Sequence, residues 1–159
     1  MRRLLVSTFV VAAVLGVATP SSAIGAAPVH GEASGTGRLA IGTGGCIAEE
    51  SFTATLRASV IGRATLTGTT CVTLPSFVSE IEITSPGGTL TAIGSGIAGD
   101  PVVTYTIVSG SRRFASASGT ITFTVTTTDV FDCDPRIGVC LGRHLVAAIN
   151  GSIILGRLP

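Results

Sequence analysis

The sequence predicts an all-β protein folded as a small antiparallel barrel of eight strands, and three observations carry that prediction. Apolar and polar residues alternate with period two, most clearly in Phe52, Ala54, Leu56, Ala58 and Val60 against Ser51, Thr53, Thr55, Arg57 and Ser59. This is the spacing of strands with one buried face. Gly- and Pro-containing turns separate most of the alternating segments, and no helical period is present outside the N-terminal apolar run. Eight such segments suit a closed up-and-down barrel; a two-sheet sandwich is the alternative architecture for the same strand number.

Met1 to Ala23 has the pattern of a secretory signal peptide. Arg2 and Arg3 form the positive start, Leu4 to Ala18 the apolar run, and Ser21-Ser22-Ala23 the small-residue cleavage site. The run is shorter than the roughly 20 apolar residues of a membrane span. The expectation is therefore a secreted, extracellular protein, cleaved near Ala23 and free of the membrane afterwards. Cleavage leaves 136 of the 159 residues, the size of one domain.

With Arg2 and Arg3 removed, eight Arg face nine Asp plus Glu, a net charge near −1. A surface of that balance argues against nucleic acid as a partner. There is no Lys, and every strongly basic side chain is Arg, a coding bias expected of a GC-rich, actinobacterial type of genome. Four cysteines in a short exported chain, Cys46, Cys71, Cys133 and Cys140, predict two disulfides. Cys133 and Cys140 bracket a segment containing Pro135 and Gly138, so they are paired, which leaves Cys46 for Cys71. CxxC spacing is missing, so zinc is not expected.

Along the mature chain, residues 24–34 mix Gly, Ala, Pro and Ser without a period and are expected to form a flexible arm carrying a solvated His30. Residues 35–159 are assigned to a single barrel domain. Gly35, Gly37, Leu39 and Ile41 alternate as a first strand, and Gly42 to Gly45 form the turn after it. The Phe52 to Val60 strand follows, then a turn at Ile61-Gly62 and a return strand with Ala64, Leu66, Val72 and Leu74 facing in. Cys71 falls on the outer, Thr-bearing face of that strand. In the next strand Ile81 and Ile83 oppose Glu80 and Glu82, two carboxylates on one face. Such a pair suits an acid and a base, but more often it is a solvated strand face that also blunts an edge.

Thr89 to Ser95 is a small-residue strand ahead of the turn Ala98-Gly99-Asp100-Pro101. Val103, Tyr105 and Ile107 then face in, as do Ile121, Phe123 and Val125 after the Gly-rich segment Gly110 to Gly119. Asp129, Asp132 and Asp134 are assigned to an acidic solvated loop, Asp129 to Arg143, pinned by Cys133 to Cys140; their spacing does not fit a calcium loop. His144 opens a long apolar final strand, Leu145 to Leu155, suited to closing a barrel.

The segment Gly110-Ser111-Arg112-Arg113-Phe114-Ala115-Ser116-Ala117-Ser118-Gly119, followed by a Thr-rich strand, resembles the hallmark Gly-Thr-Gly-Arg-Phe-Ala-Gly-Ala-Ser-Gly of secreted bacterial proteins with an allene-oxide-cyclase-like, dirigent-like β-barrel. Gly110, Arg113, Phe114, Ala115, Ala117, Ser118 and Gly119 match it; Ser111, Arg112 and Ser116 depart from it. The resemblance implies a barrel, with Gly110, Arg113, Phe114 and Gly119 as structural residues, Phe114 packed at one barrel end and Arg113 bonded to turn carbonyls or a carboxylate. A positive φ at the second hallmark glycine would place a Cβ penalty of about 1 kcal/mol on Arg112.

The sequence contains no nucleophile–base pair and no metal-ligand spacing, so no catalytic residue, metal or cofactor is assigned. Three functions fit: non-catalytic binding of a small apolar ligand or a surface partner, a cyclase or isomerase acting in the barrel cavity, and a structural envelope-associated protein. Glu80, Glu82, Tyr105 and Arg113 are the candidate polar groups of a cavity.

Overall fold

The computed structural model describes residues 25–136 and 138–156; the expected signal peptide lies outside them. Eight antiparallel strands close into a barrel in sequence order. They are β1 (Ala27–Ile41), β2 (Ala48–Ala58), β3 (Gly62–Thr73), β4 (Ser76–Ser85), β5 (Gly88–Ile97), β6 (Val102–Gly110), β7 (Ser118–Asp134) and β8 (Val139–Ile154). The only helical element among the described residues is a 3₁₀ turn, Arg112–Phe114. β1 pairs with both β2 and β8, and this closure excludes the open sandwich.

Period two decides what faces in. β4 shows it most regularly, with Phe77, Ser79, Ile81, Ile83 and Ser85 buried and the residues between them exposed. The Thr rows lie outside, where Thr104 and Thr122 hydroxyls pair across β6 and β7 at 2.9 Å. Of the side chains expected inside, Leu56, Tyr105, Ile107, Ile121 and Phe123 are buried, while Phe52 and Val125 are half-buried and pack against the core.

Four local expectations are corrected. Residues 27–34 are not a free arm: they form the first half of β1, paired with β8 from Ala27 and with β2 from Gly31, with His30 Nδ1 3.0 Å from Asn150 Oδ1 of β8. Backbone pairing to two neighbours outweighs the weak strand propensity of this Gly- and Pro-bearing segment. β2 ends at Ala58, so Val60 is a turn residue with φ 68° that packs on the core margin, and Ile61 is 4% exposed. Leu74, given core parity in the sequence, lies past the end of β3 and is exposed.

The fourth correction concerns Asp129 to Arg143, which is a hairpin rather than a loop. β7 and β8 stay paired as far as Asp134 opposite Val139, with a bulge between Thr127 and Asp129, and His144 lies within β8. The extension is anchored at its base, where Phe131 lies 5.0 Å from the His144 ring and Asp132 pairs with Arg38 of β1. Cys133 and Cys140 sit directly opposite each other and are bonded, and Cys46 is bonded to Cys71.

One barrel end is plugged. Phe114, 1% exposed, packs into the core there, and Arg113 donates from its side chain to the Val60 carbonyl and from its backbone to Gly87 O at 3.2 Å. The guanidinium also lies 5.0 Å from the Phe114 ring centroid. The sharp path needs Gly110, where a Cβ would overlap the Phe114 carbonyl. Arg112 has φ 50°, so the departure from the hallmark glycine does place an L-residue in the left-handed region.

Candidate functional site

At the opposite end the barrel is open, and a cavity of about 360 Å³ runs inward from the mouth. Phe52, Val72, Phe77, Val103, Phe123 and Val125 supply most of its apolar wall, and the Ala98–Pro101 turn overhangs it. Small residues keep it from filling: Ala33 and Ala147 are paired side by side on the neighbouring strands β1 and β8, where longer side chains would extend into the interior. Its size is at the lower end of small-molecule sites. Outside the mouth the strand ends carry exposed apolar side chains, among them Ile41 at 91%, Leu74 and Ile97.

Two groups of polar side chains reach the cavity. The first is an ion pair, Glu50 with Arg143, in which Arg143 Nε donates to Glu50 Oε1 at 2.6 Å and a terminal nitrogen donates to Oε2. The Glu50 side chain is 10% exposed and that of Arg143 44%. These residues lie on β2 and β8, which are not neighbours. They meet over β1 because Gly37, paired with Phe52 on one side and Arg143 on the other, has no side chain to separate them. A Cβ on Gly37 would overlap Glu50 Oε1.

The second group is Tyr105, Ser79 and Thr70. Tyr105 Oη donates to Ser79 Oγ at 3.0 Å, Thr70 Oγ1 donates to the same oxygen at 2.9 Å, and Ser79 donates to the Thr69 carbonyl at 3.2 Å. The Tyr105 ring meets Phe123 edge-on at 5.4 Å. Burial raises the Tyr105 pKa above its ordinary value, the Ser79 hydrogen bond opposes that shift, and the Glu50 charge adds to it. Tyr105 is thus held as a neutral phenol.

Of the four polar groups expected in a cavity, only Tyr105 is there. Glu80 and Glu82 are exposed on the outer face of β4, because the inward positions of that strand are Ser79, Ile81 and Ile83. Arg113 is at the plugged end. Glu50, Arg143, Thr70 and Ser79 were not singled out in the sequence, although strand parity marks all four. Glu50 continues the Phe52, Ala54, Leu56 series backward, and Arg143 does the same for Leu145 and Ala147. Among the described residues no three His, Cys, Asp or Glu side chains gather as a metal-ligand set.

No protein-family model matches the chain, and no curated protein matches it by sequence.

Proposed function

We propose that this protein is a secreted, disulfide-stabilised barrel that binds one small apolar molecule at its open mouth and does not transform it. The observation that carries this reading is the cavity itself, open at one end, largely apolar, and narrow enough to enclose a small ligand. Secretion is supported by the Met1 to Ala23 pattern and by two disulfides, which belong to an oxidising compartment. The Gly110 to Gly119 resemblance, together with the closed barrel, supports membership of the allene-oxide-cyclase-like, dirigent-like group. That group includes enzymes, but the cyclase reading relied on Glu80, Glu82, Tyr105 and Arg113 meeting at one substrate, and three of the four lie away from the cavity.

Binding is testable with the chain's own chromophore. Tyr105 is the single tyrosine and there is no tryptophan, so intrinsic fluorescence reports the cavity wall alone. Titration with Nile red, a neutral apolar dye, is expected to change Tyr105 emission saturably at one site per barrel. Val125→Phe, which narrows the cavity, is expected to weaken it. Absence of saturable binding, or binding indifferent to Val125→Phe, overturns the reading.

A further inference from the structure

The hydrogen-bond directions in the cavity wall are fixed by chemistry. The Thr69 carbonyl can only accept, so the one proton of Ser79 is spent on it. Tyr105 and Thr70 must then be the donors to Ser79 Oγ, and their single protons are spent too. Both residues line the cavity. What they still present to it is lone pairs.

The charged groups of the lining point the same way. Glu50 and Asp100 are acceptors only, and Arg143 is the one cation among the lining residues. Its charge is already met at two points by Glu50. Two of the five Arg143 N–H groups are thereby taken, and an entering carboxylate would find acceptors at Tyr105 and Thr70 and, with Glu50 and Asp100 against one guanidinium, an excess of negative charge. An entering hydroxyl would find partners for its proton.

We infer that the cavity selects neutral apolar alcohols, whose hydroxyl donates to Tyr105 Oη or Thr70 Oγ1, and discriminates against carboxylates of the same chain. This rests on the ligand-binding reading above. Burial of Tyr105 supports it, because a phenol kept neutral keeps its O–H directed at Ser79 Oγ and its lone pairs free.

The test is displacement of bound Nile red by decanol, its methyl ether and decanoate at neutral pH. Decanol is expected to bind about tenfold more tightly than decanoate, and more tightly than the ether, which cannot donate. Tyr105→Phe is expected to shrink the decanol-to-ether ratio. Glu50→Gln, which removes the competing carboxylate from Arg143, is expected to shrink the decanol-to-decanoate ratio. Decanoate binding as tightly as decanol to the wild-type barrel overturns the inference while leaving cavity binding intact. Failure of the dye and all three compounds to bind overturns both.

Discussion

Arg143 holds Glu50 across an intervening strand. The two residues sit on β8 and β2, and their side chains meet above Gly37 of β1, whose missing side chain leaves the space in which the carboxylate lies.

The pair and its glycine therefore act as one unit. Arg143→Ala leaves a mostly buried carboxylate without its partner and is expected to destabilise the barrel by about 1 to 3 kcal/mol. Gly37→Ala should have a similar effect by displacing Glu50, and the effect should largely vanish in a Glu50→Ala background. The apolar double variant Glu50→Leu/Arg143→Met should recover most of the stability lost in Arg143→Ala. Denaturant melts of this set check the coupling; additive effects of Gly37→Ala and Glu50→Ala would show that the glycine serves something else.

Tyr105 sets an alkaline limit. Its folded pKa lies above the ordinary value of 10.0, so as pH rises past that value the unfolded chain loses the proton while the folded one keeps it. Stability from this group is intact below about pH 10 and is lost as pH rises through the folded pKa. Because the chain has one tyrosine, the tyrosinate absorbance titrates this residue alone. An upward-shifted midpoint that returns to the ordinary value on denaturation is expected; Tyr105→Phe should remove this component of the alkaline loss.

At the plugged end, Phe114→Ala should cost about 3 to 5 kcal/mol, as for a large aromatic removed from a core. Arg113→Ala should cost less, because its guanidinium stays exposed although it bonds to Val60 O. Arg112→Gly should raise stability by about 0.5 to 1 kcal/mol, since Arg112 has φ 50° and glycine carries no Cβ penalty there. Thermal melts of the three variants test the order; a destabilised Arg112→Gly would mean that the arginine side chain contributes more than its backbone strain removes.

The two disulfides should act on different regions. Cys133 to Cys140 closes a short loop, with a chain-entropy contribution of about 2.5 kcal/mol, and Cys46 to Cys71 a longer one, at about 3.5 kcal/mol. Loss of the first is expected to raise amide exchange in the hairpin from Asp129 to Arg143 before the barrel opens. Loss of the second should loosen the connection between β1 and β2, where Ile47 N donates to Val72 O at 2.8 Å. Peptide mapping without reductant checks the pairing itself.

The period-two pattern by itself determined the strand content and most inward and outward faces, because side-chain direction in a strand depends only on parity, and the short Pro- and Gly-bearing span from Cys133 to Cys140 determined the disulfide pairing. The weakest boundaries were those where glycine, proline or charge masked the alternation. Residues 27–34 held too little apolar content to declare a strand, and the hairpin from Asp129 to Arg143 looked like a loop because its acidic residues do not alternate with a core.

Tertiary structure decided where the barrel ends and which inward residues meet. Leu39, Ile41 and Leu74 have core parity yet stand exposed, since nothing in the pattern marks the level at which the wall stops and solvent begins. Parity likewise sends Glu50, Arg143, Ser79 and Tyr105 inward without saying which faces which. For Glu50 and Arg143 that depends on closure through β1, which brings β2 and β8 to either side of one strand, and on Gly37 lying where the ion pair crosses it; for Tyr105 and Ser79 it depends on β5 pairing between β6 and β4. The Glu50–Arg143 contact joins strands far apart in sequence, so it is fixed only once the last strand has paired with the first.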